Sequence, residues 1–170
     1  ILLCFSAWLF SPYKGKVKSH VGIDMPCEVA FAYLGNSDNA SDWSNFISYM
    51  ETINERKIPD GMTGSKRKCF TESNNQGYQW EEEVLEVIEN KYRLLSCMNF
   101  ENLWLRSPDL VKEQIFDQTS YGCKVSITLD FRYEPSLWDL AKMKFTAYRI
   151  ENVFNQNLKN IKKEVTKRRP

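Results

Sequence analysis

The stretch LWDLAKMKFTAYRIENVFNQNLKNIKKEV, Leu137 to Val165, decides the fold. Leu140, Met143, Ala147, Ile150, Phe154, Leu158, Ile161 and Val165 recur at steps of three and four, so at about 100° per residue they form one apolar stripe on a long helix. Lys142, Arg149, Asn152, Gln156, Lys159, Asn160 and Lys163 fall on the other faces, as on a helix wet along one side. Such a stripe needs a surface to press on. The long alternating segments upstream read as strands, so that surface is expected to be an antiparallel sheet. A gap between sheet and helix is then the natural place for a ligand.

Working back from the helix, Pro135 ends a strand from Cys123 to Glu134, in which Cys123, Val125, Ile127, Leu129, Phe131 and Tyr133 point one way, toward the helix. Val111 to Gln118 pairs with it across Thr119-Ser120-Tyr121-Gly122. Tyr92 to Glu101 places Tyr92, Leu94, Met98 and Phe100 on a shared face, and Tyr78 to Glu89 is strand-like despite its acids. Ser65 to Glu72 and Ser48 to Ile58 are the earlier strands, joined by the glycine-bearing turn Pro59 to Gly64. Before them come two short helices, Ala40 to Phe46 and Cys27 to Leu34. The latter has Pro26 near its first turn, Glu28 at its positive end and Gly35-Asn36 as its stop. The first strand, Lys16 to Asp24, alternates Val17, Ser19, Val21 and Ile23 with Lys16, Lys18, His20 and Asp24. The expected architecture is α+β: a curved seven-stranded antiparallel sheet wrapped around a C-terminal helix, with two short helices after the first strand.

The 170 residues suffice for one domain with a real core, and aromatics at 14% point to a large apolar interior. A formal net charge of +1 argues against nucleic acid as a partner. The five cysteines, Cys4, Cys27, Cys69, Cys97 and Cys123, are odd in number and far apart, so a disulfide set and a thiolate metal site are not expected and a reducing compartment is. His20 is the sole histidine, which excludes multi-histidine metal sites. No phosphate loop, nucleophile elbow or metal-ligand spacing occurs, so no metal, cofactor or catalytic residue is assigned.

Residues 1–13 form an apolar N-terminal segment ahead of the domain proper, 14–170. Its first ten residues would make a helix of about 15 Å, half of what a bilayer core demands. Two readings stand for it. One is the tail of a membrane anchor, with Trp8 and Tyr13 at the interface and Lys14, Lys16 and Lys18 placing the domain on the cytoplasmic side. The other is a buried terminal segment.

Val21-Gly22-Ile23-Asp24-Met25-Pro26-Cys27-Glu28-Val29-Ala30-Phe31-Ala32-Tyr33-Leu34 resembles the opening I-x-A-P-x-E-x-V-F-x-Y-L of the START-like, or helix-grip (SRPBCC), superfamily, within it the polyketide cyclase/dehydrase and lipid transport group. Asp42-Trp43-Ser44, Gly61 with Gly64, and Gly122 through Leu129 are similar to its later landmarks. Met25 departs from the group's small residue, and Cys27 lies in its proline-containing turn. The resemblance, over about Lys16 to Lys167, implies the helix-grip fold and a hydrophobic small molecule, lipid-like or aromatic, as ligand. Polyketide cyclase/dehydrase-like catalysis and a chaperone-activator-like interaction module are the alternatives it leaves.

In such a fold Trp80, Met98, Phe100, Phe116, Ile127, Phe131, Phe154 and Leu158 are expected along the space between sheet and helix, with Trp43 near its mouth. All are explicable as plain core as well. Trp104, in the apolar loop Leu103-Trp104-Leu105, reads as part of a lid, a membrane-dipping tip, or a strand continuation. Glu81-Glu82-Glu83 reads as a solvated charge run. An enzyme would require Glu82, Glu86 or Tyr133 to turn inward within hydrogen-bond reach of one another.

Overall fold

The computed structural model describes residues 16–102, 110–131 and 137–168, with side chains at all of these except 131 and 137–146. The chain runs β1 (Lys16–Ile23), α1 (Cys27–Gly35), a 3₁₀ turn (Ser37–Asn39), α2 (Ala40–Trp43), β2 (Tyr49–Thr52), β3 (Lys66–Phe70), β4 (Gln79–Ile88), β5 (Tyr92–Glu101), β6 (Leu110–Thr119), β7 (Gly122–Phe131) and α3 (Leu137–Thr166). The strands form one sheet in the order β1-β7-β6-β5-β4-β3-β2, antiparallel at every step. The first strand thus pairs with the last, and α1 and α2 bridge the two edges.

The apolar stripe of α3 finds the surface it requires. The helix lies along β1 and touches α1 and α2. Leu158, Ile161 and Val165 are fully buried, and Ala147, Ile150 and Phe154 are half-buried against the core. The side chains of Leu140 and Met143 lie outside the described residues. Asparagines pin the same helix to the loop after α2. Asn157 Oδ1 accepts from the Asn45 backbone N–H at 2.8 Å, while Asn160 Nδ2 donates to Asn45 Oδ1 at 2.9 Å and to the Trp43 carbonyl at 3.2 Å.

α2 and β2 end earlier than their residues suggested, both because a polar side chain diverts the backbone. The Ser44 hydroxyl accepts the N–H groups of Phe46 and Ile47, ending α2 at Trp43. Asn54 accepts from Lys66 N and donates to the Gly64 carbonyl, closing β2 at Thr52 instead of Ile58. At the following turn Gly61 adopts φ +76°, and a Cβ there would stand 2.7 Å from the Gly35 carbonyl oxygen. Only glycine fits that approach.

The cysteines correct the sequence reading. Cys27, at the start of α1, is joined to Cys123 of β7 by a disulfide with a sequence separation of 96. Folding brings together two cysteines that no short motif connects, and a cystine removes the basis for expecting a reducing compartment. Residues 1–15, the Trp104 segment and Tyr133 lie outside the described residues. Among the described residues no helix is long and apolar enough to cross a membrane.

Candidate functional site

Register defines which side chains share the concave face. Arg67 of β3 stands opposite Glu82 of β4, Glu82 opposite Cys97 of β5, and Cys97 opposite Leu110 of β6. In the next rows Leu95 meets Lys112, and Arg93 meets Gln114, which meets Ile127. Partners in an antiparallel ladder project to one side. All of these are buried, and they continue the apolar face that β7 and β1 build from Val17, Ile23, Val125, Ile127 and Leu129. The interior therefore has an apolar half and a charged half.

In the charged half, Glu82 is only 2% exposed. Its Oε2 accepts from Arg67 Nε at 3.0 Å and Nη2 at 2.9 Å, a two-pronged contact. Its Oε1 accepts from Lys112 Nζ, from the Trp80 indole at 3.3 Å and, more weakly, from the Cys97 thiol at 3.8 Å. Burial pushes the carboxyl up, but Lys112 and then Arg67 outweigh it and hold Glu82 at about 2. Burial next to this carboxylate pushes the Cys97 thiol up to about 12 and raises Cys69 well above its ordinary range. Glu82 is thus an ionised electrostatic group at neutral pH, and neither thiol is a ready nucleophile.

Arg93 is the second buried cation. It donates to the Gly61 carbonyl at 3.0 Å, to Gln114 Oε1 at 3.0 Å and to the Phe31 carbonyl at 3.3 Å, with its guanidinium 4.2 Å from the Phe31 ring centroid. Burial, then repulsion from Arg67, lowers it to about 10 in spite of Asp60. These bonds fasten α1 and the β2–β3 turn to the sheet, so Arg93 is occupied as a structural tie.

Beside the carboxylate, Trp80 stacks on Phe46 at 5.9 Å, and Phe46 on Tyr78 at 6.2 Å. Phe46 and Tyr78 are exposed and Trp80 is buried, so the ladder leads from the surface to Glu82. A separate open crevice of about 800 Å³ at the turn end of the sheet includes Glu28, Glu86, Tyr92, Phe116 and Asp117 in its lining, and none of the described side chains of α3.

Of the residues expected along the cavity, Trp80, Phe116 and Ile127 are buried on the inner face, Leu158 is buried on α3, and Phe154 is half-buried against the core. Phe116 meets Phe31 edge-on at 5.2 Å. Trp43 is buried on α2, its indole N–H without a partner among the described residues. Met98 takes the face opposite to Cys97, across from Glu81, because the inward parity of β5 belongs to Arg93, Leu95 and Cys97. Phe100 lies beyond Asn99, whose φ of +54° interrupts the alternation, and is half-buried against the core. Phe131 is in register with Leu110, its side chain outside the described residues, as is Trp104.

Arg67, Lys112, Arg93 and Gln114 were not anticipated from the sequence, and Glu82 was named only as an inward group that an enzyme would require. Glu82 corrects the expectation of a solvated acidic run, since in any strand of consecutive acids alternate members face inward. Glu86 is exposed. The usable signal was the parity of Leu95 and Cys97, which competed with an equally apolar Leu94 and Met98.

No protein-family model matches the chain, and no curated protein does. Solved structures do. The di-domain aromatase/cyclase StfQ of the steffimycin biosynthetic pathway superposes with a TM-score of 0.71 at 10% identity, over 91% of this chain and 51% of that one. The Zhui aromatase/cyclase from Streptomyces sp. R1128 gives 0.67 at 11% identity, over 90% and 94%. Ara h 8.0201 gives 0.62 at 9% identity, over 89% and 97%. The chain carries the helix-grip fold. At such identities the likeness extends to the fold alone.

Proposed function

We propose that the protein binds an apolar small molecule between the concave face of the sheet and α3. The observation that carries this reading is the Arg67–Glu82–Lys112 cluster, set among apolar side chains at the foot of the Tyr78–Phe46–Trp80 ladder. A buried ion cluster is a poor source of stability, since well-packed apolar residues serve as well or better. A few fixed polar groups on an apolar wall are what a small-molecule site needs for orientation. Solved structures of this fold include proteins named as aromatase/cyclases, which supports a ligand-handling interior. Residues 1–13 would add membrane contact if the ligand is collected from a bilayer. Titrating the purified chain with an environment-sensitive apolar dye tests the binding role. Saturable binding that Trp80→Ala weakens is expected; absence of saturable binding by any apolar probe contradicts it.

A further inference from the structure

The charged half of the interior is unbalanced. Arg67 and Lys112 bring two cations to one carboxylate, and Glu82 has little left to give. Oε2 is taken by the Arg67 fork, and Oε1 already receives Lys112, Trp80 and Cys97. An ammonium has three N–H donors, and among the described residues Glu82 Oε1 is the acceptor that Lys112 meets. Arg93 adds a third positive charge nearby. Asp60 lies toward the two arginines, and its Oδ2 accepts the Ser37 backbone N–H at 2.5 Å. Accessibility singles out one member of the cluster. The Lys112 side chain is 11% exposed, against 4% for Arg67 and 2% for Glu82. The ammonium is therefore the least buried of the three charges and the one a ligand reaches first.

We propose that the ligand carries a single acidic head, a carboxylate or similar monoanion, that seats on Lys112 while its apolar body lies along Trp80, Leu110 and Leu129. Leu129 stands directly opposite Lys112, and Leu110 directly opposite Cys97, so apolar surface begins next to the ammonium. An anion here forms a charge-assisted hydrogen bond out of water and neutralises a cation that folding leaves in excess. A neutral ligand of the same shape does neither. The inference rests on the binding role proposed above and adds the chemistry of the head group.

Calorimetric titration of the full chain with dodecanoate and with dodecanol tests it, because the two share a chain and differ in the head. Dodecanoate is expected to bind about tenfold tighter or more, the scale of one hydrogen bond to a charged group. The preference should persist at high salt, since a buried pair is poorly screened. Lys112→Met should bring the ratio of the two affinities near one. Glu82→Gln, which frees a further cation, should widen the ratio; if it does not fold, Lys112→Met decides alone. Equal binding of the two probes by the wild type, or a preference that survives Lys112→Met, overturns the acidic head and leaves the binding role standing. Failure of both probes where the apolar dye still binds saturably overturns the acidic head alone; failure of the dye as well overturns the two together.

Discussion

The two halves of the concave face are built on opposite rules. On β7 and β1 the inward positions are Val17, Ile23, Val125, Ile127 and Leu129, and Leu158, Ile161 and Val165 of α3 complete that side of the core. On β3 to β6 the inward positions include Arg67, Glu82, Arg93, Lys112 and Gln114, all buried and joined by hydrogen bonds. The first half gains stability from area removed from water, which is tolerant of detail. The second depends on pairing, where losing one partner strands the others. The difference shows where the molecule spends its burial on folding and where it holds groups suited to a ligand.

The sharpest way to break this contrast is Glu82→Leu. It leaves Arg67 and Lys112 buried without their carboxylate and should cost about 3–5 kcal/mol in denaturant unfolding, whereas Lys112→Met leaves Glu82 its Arg67 fork and should cost less. The acid limb of stability carries the same signature. Glu82 is held at about 2 against an ordinary 4.5, so its contribution is fully present above about 4.5 and is lost as pH falls through about 2. Glu82→Gln should flatten that limb.

On the apolar half, Ile161→Ala should cost about 2–5 kcal/mol, with no change in the acid limb. Breaking the Cys27–Cys123 link, by reductant or by replacing both cysteines with alanine, should lower stability by about 2–4 kcal/mol, as expected for a long closed loop. A melting temperature unchanged by reduction would show that the packing of α1 on β7 suffices without it. The smallest effect is expected at Met98: Met98→Ala should cost less than about 1 kcal/mol, while Leu95→Ala, on the inward parity of the same strand, should cost several times more. Reversal of that order would invert the assignment of faces.

The same contrast explains what could be read from the residues alone. The fold was legible because β1, β7 and α3 obey simple periods, and their apolar positions fix register and face. The candidate site was not. In β4 the run Glu81-Glu82-Glu83 carries no hydrophobic alternation to show which acid turns inward, and in β5 both parities are partly apolar. Burial of Glu82 is decided by Arg67 and Lys112 on other strands, 15 and 30 residues away in sequence. The disulfide escaped for the same reason, since its partners meet only when β7 returns to the start of α1.

The charged half of the interior is tested most directly by following the Glu82 side-chain carboxyl carbon through an acid titration by NMR. The carboxyl should remain ionised down to about pH 2 and move toward 4.5 in Lys112→Met. A wild-type Glu82 that titrates near 4.5 would show a carboxylate open to water and without its cations, and would contradict the account.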